Sequence, residues 1–300
     1  MDQARLSDLP YYRWIVLGIC YLLMVLFAFP LQALPPMLEQ IMSEIGFSHS
    51  MGGFLMGSYG IPGLIMPLAA AMLAARYDRK KLVLAGIGVM CCGLLVFCLA
   101  HSYSTLLAGR VLAGVGGKII LSLAPLFVML FFEKANLGMA VGVFNTAVPV
   151  GSIVAMNLFG YLSLHLSWRT ATACILGAAA LMAAVVAQAL HLPEGARGGQ
   201  ELETGGERMG RGIWALASVN FLVNVVTMAY ITFAPPFFLK AGLSNAQANM
   251  VTSLLMVETA LIGPLAGLLI DRKGLKLQTL TASALLMSAA FYFLSPAGPA

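Results

Sequence analysis

One segment of the chain nearly recurs: the run from Gly46 to Asp78 returns as Gly242 to Gly274, at a constant offset of 196 residues. Gly46-Phe-Ser-His falls on Gly242-Leu-Ser-Asn, and Leu73-Ala-Ala-Arg on Leu269-Ile-Asp-Arg. Upstream, Pro35-Pro36 answers to Pro235-Pro236. The second copy comes six apolar segments after the first. Copies an even number of membrane crossings apart enter the bilayer from the same side, so the repeat is parallel and implies two related helical bundles. Such a plan points to transport before any catalytic motif is sought.

The residues between the repeats are those of a membrane protein. Sixty per cent of the chain is hydrophobic and 10% charged, and the mean hydropathy is +0.90. A water-soluble globule is excluded on those values. The charges gather in short polar islands between runs long enough to cross a hydrocarbon layer of roughly 30 Å. Nine helical spans are expected, at roughly 13–37, 50–75, 81–100, 105–132, 138–164, 168–190, 212–239, 247–270 and 276–295. A closed β-barrel is excluded, because its strands alternate polar and apolar residues over short stretches. The first segment is too long and too Pro-rich for a cleaved signal peptide and has no small-residue cleavage site.

Basic residues orient the chain. With the N-terminus in the cytoplasm, Arg5, Arg13, Arg76, Arg79, Lys80, Lys81, Lys134, Arg197, Arg208, Arg211, Arg272, Lys273 and Lys276 lie inside, and Arg169 and Lys240 outside. The net charge of +5 is therefore a matter of membrane orientation. No loop carries a basic stripe with interleaved aromatics, so nucleic acid is not an expected partner. Gly, Glu and Arg dominate His191 to Gly212, which reads as a flexible cytoplasmic linker. It divides a six-helix bundle at 1–190 from a partial bundle of three helices at 213–300. The five cysteines lie inside apolar runs without zinc-ligand spacing, and neither a metal nor a cofactor is expected.

Three motifs carry a family resemblance. Leu73-Ala-Ala-Arg-Tyr-Asp-Arg-Lys-Lys, after the second span, resembles the Gly-x-Leu-Ala-Asp-Arg-x-Gly-Arg-Arg signature of the major facilitator superfamily. Gly267-Leu-Leu-Ile-Asp-Arg-Lys-Gly-Leu-Lys is the better copy. Leu106-x-x-x-Arg110-x-x-x-Gly114-x-Gly116 is similar to the signature of the family's fourth helix, and Gly142-Val-Phe-Asn-Thr-Ala-Val-Pro-Val-Gly151 to its kinked fifth. The resemblance implies an all-α fold of two six-helix bundles, of which this chain carries nine helices and reads as a truncated form. It also implies a latch of cytoplasmic charges between the bundles, here Arg76, Asp78, Arg79, Asp271 and Arg272. Two departures bear on that latch. Ala75 stands where the family has Asp, with a carboxylate three residues on at Asp78, and Leu137 stands where an Arg is usual.

Ionisable residues inside spans mark candidate sites. Lys118 lies near mid-membrane, about 20 Å into its helix, too deep for easy contact with a headgroup. It is the first choice for holding an anionic substrate group or for carrying a titrating proton. The structural alternative is a lysine that snorkels or pairs within the bundle. Glu258 is the carboxylate inside a span, and a carboxyl group buried there takes a proton near neutral pH, as proton coupling requires. Its alternative is a hydrogen bond to a neighbouring helix. Arg110, eight residues before Lys118, is by resemblance part of the substrate or proton pathway. Together the two cations favour an anion as substrate.

Weaker candidates are polar: Asn145, Thr146 and Asn157 on the fifth span, Asn220 and Asn224 on the seventh, and Gln32 and Tyr59 as cavity liners. Each serves equally as a helix-to-helix bond. Pro62 and Pro149 are expected to interrupt their helices and free backbone carbonyls. Gly114, Gly116 and Gly117 are expected to permit close packing rather than to hold a ligand.

Enzymatic readings fail. The Gly116-Gly117-Lys118 run lacks a phosphate loop's first Gly, at Leu112, and its Ser or Thr, at Ile119. His49, His101 and His165 fall at the outer face with no shared spacing. The expectation is therefore a secondary transporter of a bacterial cytoplasmic membrane, moving a small anion by alternating access, with H+ as the coupling ion through Glu258. The alternative from another class is a transport-incompetent membrane scaffold, bound to a protein partner and derived from a transporter.

Overall fold

Some prolines break the long apolar runs, while Pro30, Pro125, Pro235 and Pro236 lie within continuous helices. The computed structural model describes residues 11–132, 134–191, 211–257, 281 and 285. The first apolar run forms α1 (Tyr12–Gln32) and α2 (Leu34–Ile45), parted at Ala33. Pro35 and Pro36 lack the N–H groups that would bond the Leu31 and Gln32 carbonyls, so the ladder fails one turn before them. The second run forms α3 (His49–Ser58), a 3₁₀ turn (Ile61–Leu64) and α4 (Met66–Arg76). Pro62 and Pro67 remove the donors for Ser58 and Gly63, and Gly60 N–H bonds Gly57 at 2.8 Å in the tighter pattern. α5 (Arg79–Cys98) and α6 (Tyr103–Phe131) are continuous. The fifth run forms α7 (Lys134–Asn145) and α8 (Ala147–His165), parted at Thr146, four residues after which comes Val150 and three after which comes Pro149. The expected interruptions at Pro62 and Pro149 are both present. α9 (Trp168–Ala189) and α10 (Arg211–Lys240) follow, and residues 245–257 are again helical.

Polar residues start these helices where the sequence leaves the apolar runs. Ser48, Ser102 and Ser167 each accept a backbone N–H three residues on, and Asp78 takes those of Lys80 at 2.8 Å and Lys81 at 3.3 Å. The repeat is visible in this local geometry. Gly46 and Gly242 have φ of 78° and 91°, a left-handed backbone that favours glycine, and each ends a helix. Two residues on, Ser48 accepts from Met51 N–H, while Ser244 and Gln247 cap each other at 3.0 and 3.3 Å.

Six helices among the described residues are long and apolar enough to cross a membrane: Tyr12–Ile45, Arg79–Cys98, Tyr103–Phe131, Met139–His165, Trp168–Ala189 and Phe221–Lys240. This differs from the nine expected spans in three ways. The second run is broken into pieces, the eighth is described only over 245–257, and the ninth lies outside the described residues. The first is also longer than expected, because α2 carries the apolar run on to Ile45.

Lipid removes the usual hydrophobic drive between helices, so association rests on close fit. α5 and α6 pack most extensively, through glycines facing one another. A Cβ on Gly109 would lie 2.9 Å from the Gly93 carbonyl oxygen, and one on Gly86 would lie 3.2 Å from that of Gly116. Gly116 thus serves packing, as expected of it. Around this seam the core fills with large side chains; fully buried Trp168 meets Phe97 edge-on at 5.6 Å.

Candidate functional site

α6 carries both interior cations. Arg110 is the eighth residue of the helix and Lys118 the sixteenth of 29, so about 12 Å of rise separates them. Their surroundings differ completely.

Arg110 is 4% exposed. Its Nη1 donates to the Pro30 carbonyl, its Nε to Leu55 at 3.4 Å and its Nη2 to Met56 at 3.2 Å. These carbonyls lie beside the breaks in the first two runs. Met56 has lost its helical donor because Gly60 N–H turns to Gly57, and Pro30 lies just before the interruption at Ala33. The guanidinium supplies fixed donors in three directions and so ties the first, second and fourth runs together. Its face rests 5.0 Å from the Tyr59 ring centroid.

Lys118 is half-buried. Its Nζ lies 5.2 Å from the Phe27 ring centroid, and its stem lies against Gly63 of the 3₁₀ turn, where a Cβ would come within 3.1 Å of Cε. Among the described residues no hydrogen-bond acceptor or carboxylate meets this ammonium; the ion pair found there is Arg169 with Glu44. The ring partly offsets the loss of hydration, but a π face holds less charge than an anion would.

Tyr59 and Phe27 join the two cations. Their ring centroids lie 5.9 Å apart, and the Tyr59 hydroxyl donates to the Phe27 carbonyl at 3.3 Å. Tyr59 is fully buried, so it backs the site instead of lining a cavity as expected. Gly114 and Gly117 explain its depth: the Tyr59 carbonyl would lie 2.5 Å from a Cβ at Gly114, and its phenol occupies the space of one at Gly117. Gln32 is also buried, at 2% exposed, and lines no open cavity with Lys118.

The remaining candidates lie elsewhere. Asn145 is exposed at the break in the fifth run, and Thr146 beside it bonds Val143 O at 2.8 Å and Tyr21 Oη at 3.4 Å. Asn157 Nδ2 donates to Ile153 O at 2.8 Å and to Ser253 Oγ at 3.2 Å, which makes it a helix-to-helix bond. Nearby, a Cβ on Gly160 would lie 2.6 Å from Asn249 Nδ2. Asn224 is exposed on α10. Of the latch residues, Asp78 caps α5, Arg76 is exposed, and neighbouring Lys80 Nζ donates to Ala187 O at 2.8 Å. Glu258, Asp271 and Arg272 lie outside the described residues.

Two site residues escaped sequence reasoning, Phe27 and Gly63. A phenylalanine in an apolar run carries no signal, and Gly63 was legible only through its neighbour Pro62. A third feature also went unread: at the face opposite the basic residues, Glu44 accepts from Arg169 and from Trp168 Nε1 at 2.5 Å, while Arg169 Nη2 donates to Ala100 O at 2.9 Å.

The sequence profile of the Major Facilitator Superfamily matches residues 20–300. The chain belongs to that superfamily. An MFS-type transporter of Bacillus subtilis is 30% identical over 133 residues, 44% of this chain and 25% of the relative. The 3-(3-hydroxy-phenyl)propionate transporter of Escherichia coli is 28% identical over 160 residues, 52% of this chain and 38% of the relative. The matched stretches thus span well under half the length of those relatives. Among solved structures, the D-xylose–proton symporter superposes with a TM-score of 0.68 at 15% identity, over 87% of this chain and 70% of the other. A bacterial homologue of the human lysosomal transporter Spinster, inward-facing and occupied, gives 0.71 at 20% identity, over 88% and 62%. At such identities the likeness is one of fold.

Proposed function

We propose that this chain belongs to a secondary transporter that moves a small organic or inorganic anion by alternating access, with Lys118 as the group that meets the substrate. Membership of the superfamily supports transport. It chooses no substrate, since the relatives' own names range from hydroxyphenylpropionate transport to azole resistance. The observation that carries the anion reading is the Lys118 ammonium, half-buried midway along a membrane-length helix and without an acceptor among the described residues. A charge in that position is costly unless a ligand or a watery pathway meets it. Arg110 serves the same site from behind, by holding the broken runs in place.

Proton coupling is assigned to Glu258 on its apolar sequence setting alone. Orientation rests on the basic residues of the loops, which argue for a cytoplasmic N-terminus in a bacterial inner membrane.

Ligand-dependent thermal stabilisation of the purified protein tests the reading, because a ligand that binds the folded state raises its apparent stability by mass action. Benzoate, phosphate, xylose and a cationic dye are compared on wild type and Lys118→Gln. At least one of the two anions should stabilise wild type and leave the variant unmoved. An equal anion response in both proteins, or a response to xylose or the dye alone, overturns it.

A further inference from the structure

The two interior cations are not both available, and that counts the charge a ligand must bring. Arg110 has its Nε, Nη1 and Nη2 on three carbonyls of two helical segments, Pro30 on α1 and Leu55 and Met56 on α3. Turning it towards a ligand would strand the Pro30 and Met56 carbonyls in a dry interior, where an unmet acceptor is costly, while Leu55 O keeps the Ser58 hydroxyl at 2.7 Å. Lys118 has no such commitment. The nearest hydroxyl on its own helix, Ser122 Oγ, is turned back to donate to the Lys118 carbonyl at 2.8 Å. The Phe27 ring and the notch at Gly63 define where the ammonium sits, and neither neutralises it.

The described part of the site therefore offers one cation with donors to spare: Arg110 keeps its charge but is solvated by three carbonyl dipoles, and no described acceptor meets Lys118. A solute with one negative charge leaves the pair neutral. One with two brings a second anionic group that Arg110, its donors committed, does not meet, and a neutral one leaves the ammonium as it was; both are penalised in a low-dielectric interior. The compact ammonium also makes no demand for the planar, two-pronged geometry that a guanidinium favours.

We propose that the site selects its substrate by charge count, taking organic monoanions of the carboxylate type, with Gly63 and Phe27 as the positioning residues that hold Lys118 ready. This rests on the anion reading above. Gly63 lacks a positive φ, so alanine is compatible with its backbone, and the substitution reports on the lysine contact.

The test compares probes that share a body and differ in charge: octanoate, octanedioate and octanamide, and benzoate, terephthalate and benzamide. Affinities are measured on wild type, Lys118→Gln, Gly63→Ala, Phe27→Leu and Phe27→Tyr, with ligand-free melting recorded for each. In wild type the monocarboxylates should bind roughly tenfold tighter than their dicarboxylate and amide partners. Lys118→Gln should erase that ratio. Gly63→Ala should lower it about threefold or more at unchanged ligand-free melting, and Phe27→Leu should lower it as far with some loss of melting, because its ring is buried; Phe27→Tyr, which keeps the ring, should restore the ratio. A purely structural role would move melting and leave the ratio between probes alone. Dicarboxylates that match or exceed monocarboxylates in wild type overturn the charge rule. A normal ratio in Gly63→Ala and Phe27→Leu removes the positioning roles. Probe binding that Lys118→Gln leaves untouched, or no binding of any probe, overturns the anion reading itself.

Discussion

Arg110 and Lys118 stand on one helix, eight residues apart, yet one is consumed by the fold and the other is not. Arg110 is spent on the fold: its guanidinium takes the Pro30, Leu55 and Met56 carbonyls, which lie beside the breaks in the first and second runs. Lys118 lies on the far side of two aromatic rings, beside a glycine, with a π face where a counter-ion would be. The lesson is that a buried charge is read by its partners. Depth made Lys118 look like a ligand contact and family resemblance made Arg110 one, and only Lys118 has hydrogen-bonding capacity to spare.

The largest expected effect breaks the comparison at its structural end. Arg110→Gln should lower the stability of the ligand-free protein by about 3 kcal/mol or more, because several buried acceptors lose their donor together. Thermal or denaturant unfolding in detergent measures it, and Arg110→Lys should recover little, as a point charge cannot reach three carbonyls. Wild-type melting in Arg110→Gln would return this residue to the list of ligand contacts.

A smaller change strikes the aromatic pair between the cations. Gly117→Ala places a methyl group where the Tyr59 phenol sits, and overpacking of this kind costs about 1–3 kcal/mol. The same unfolding measurement reads it. Loss of anion response beyond that loss of stability would sharpen the view that Tyr59 and Phe27 hold both cations in register. Least of all in stability, Lys118→Met should leave unfolding unchanged or raise it by up to about 1 kcal/mol, since an unpaired buried charge is replaced by an apolar side chain of similar reach. A large destabilisation would mean that Lys118, like Arg110, holds the fold together.

Much of this was legible in the chain. Serines and an aspartate before apolar runs became helix caps at Ser48, Asp78, Ser102 and Ser167. Pro62 and Pro149 marked breaks because a missing N–H is a covalent fact that no packing restores. The repeated glycines reappear with the same left-handed backbone at Gly46 and Gly242. Asp78 shows the limit of motif reading: it looked like a displaced latch carboxylate, and its observed contacts are those of a helix cap. Tyr59 shows another, since a tyrosine facing two glycines sinks to full burial.

Hydropathy, proline and glycine act within one helical turn of themselves, so the sequence alone determined the all-α membrane character, the breaks at Pro62 and Pro149, and the presence of two cations in the interior. Which cation is free was decided by tertiary structure. The acceptors that occupy Arg110 come from segments 54 to 80 residues away in the chain, and the ring beside Lys118 from another span. Hydrogen-bond capacity is spent between segments, and only their packing says where.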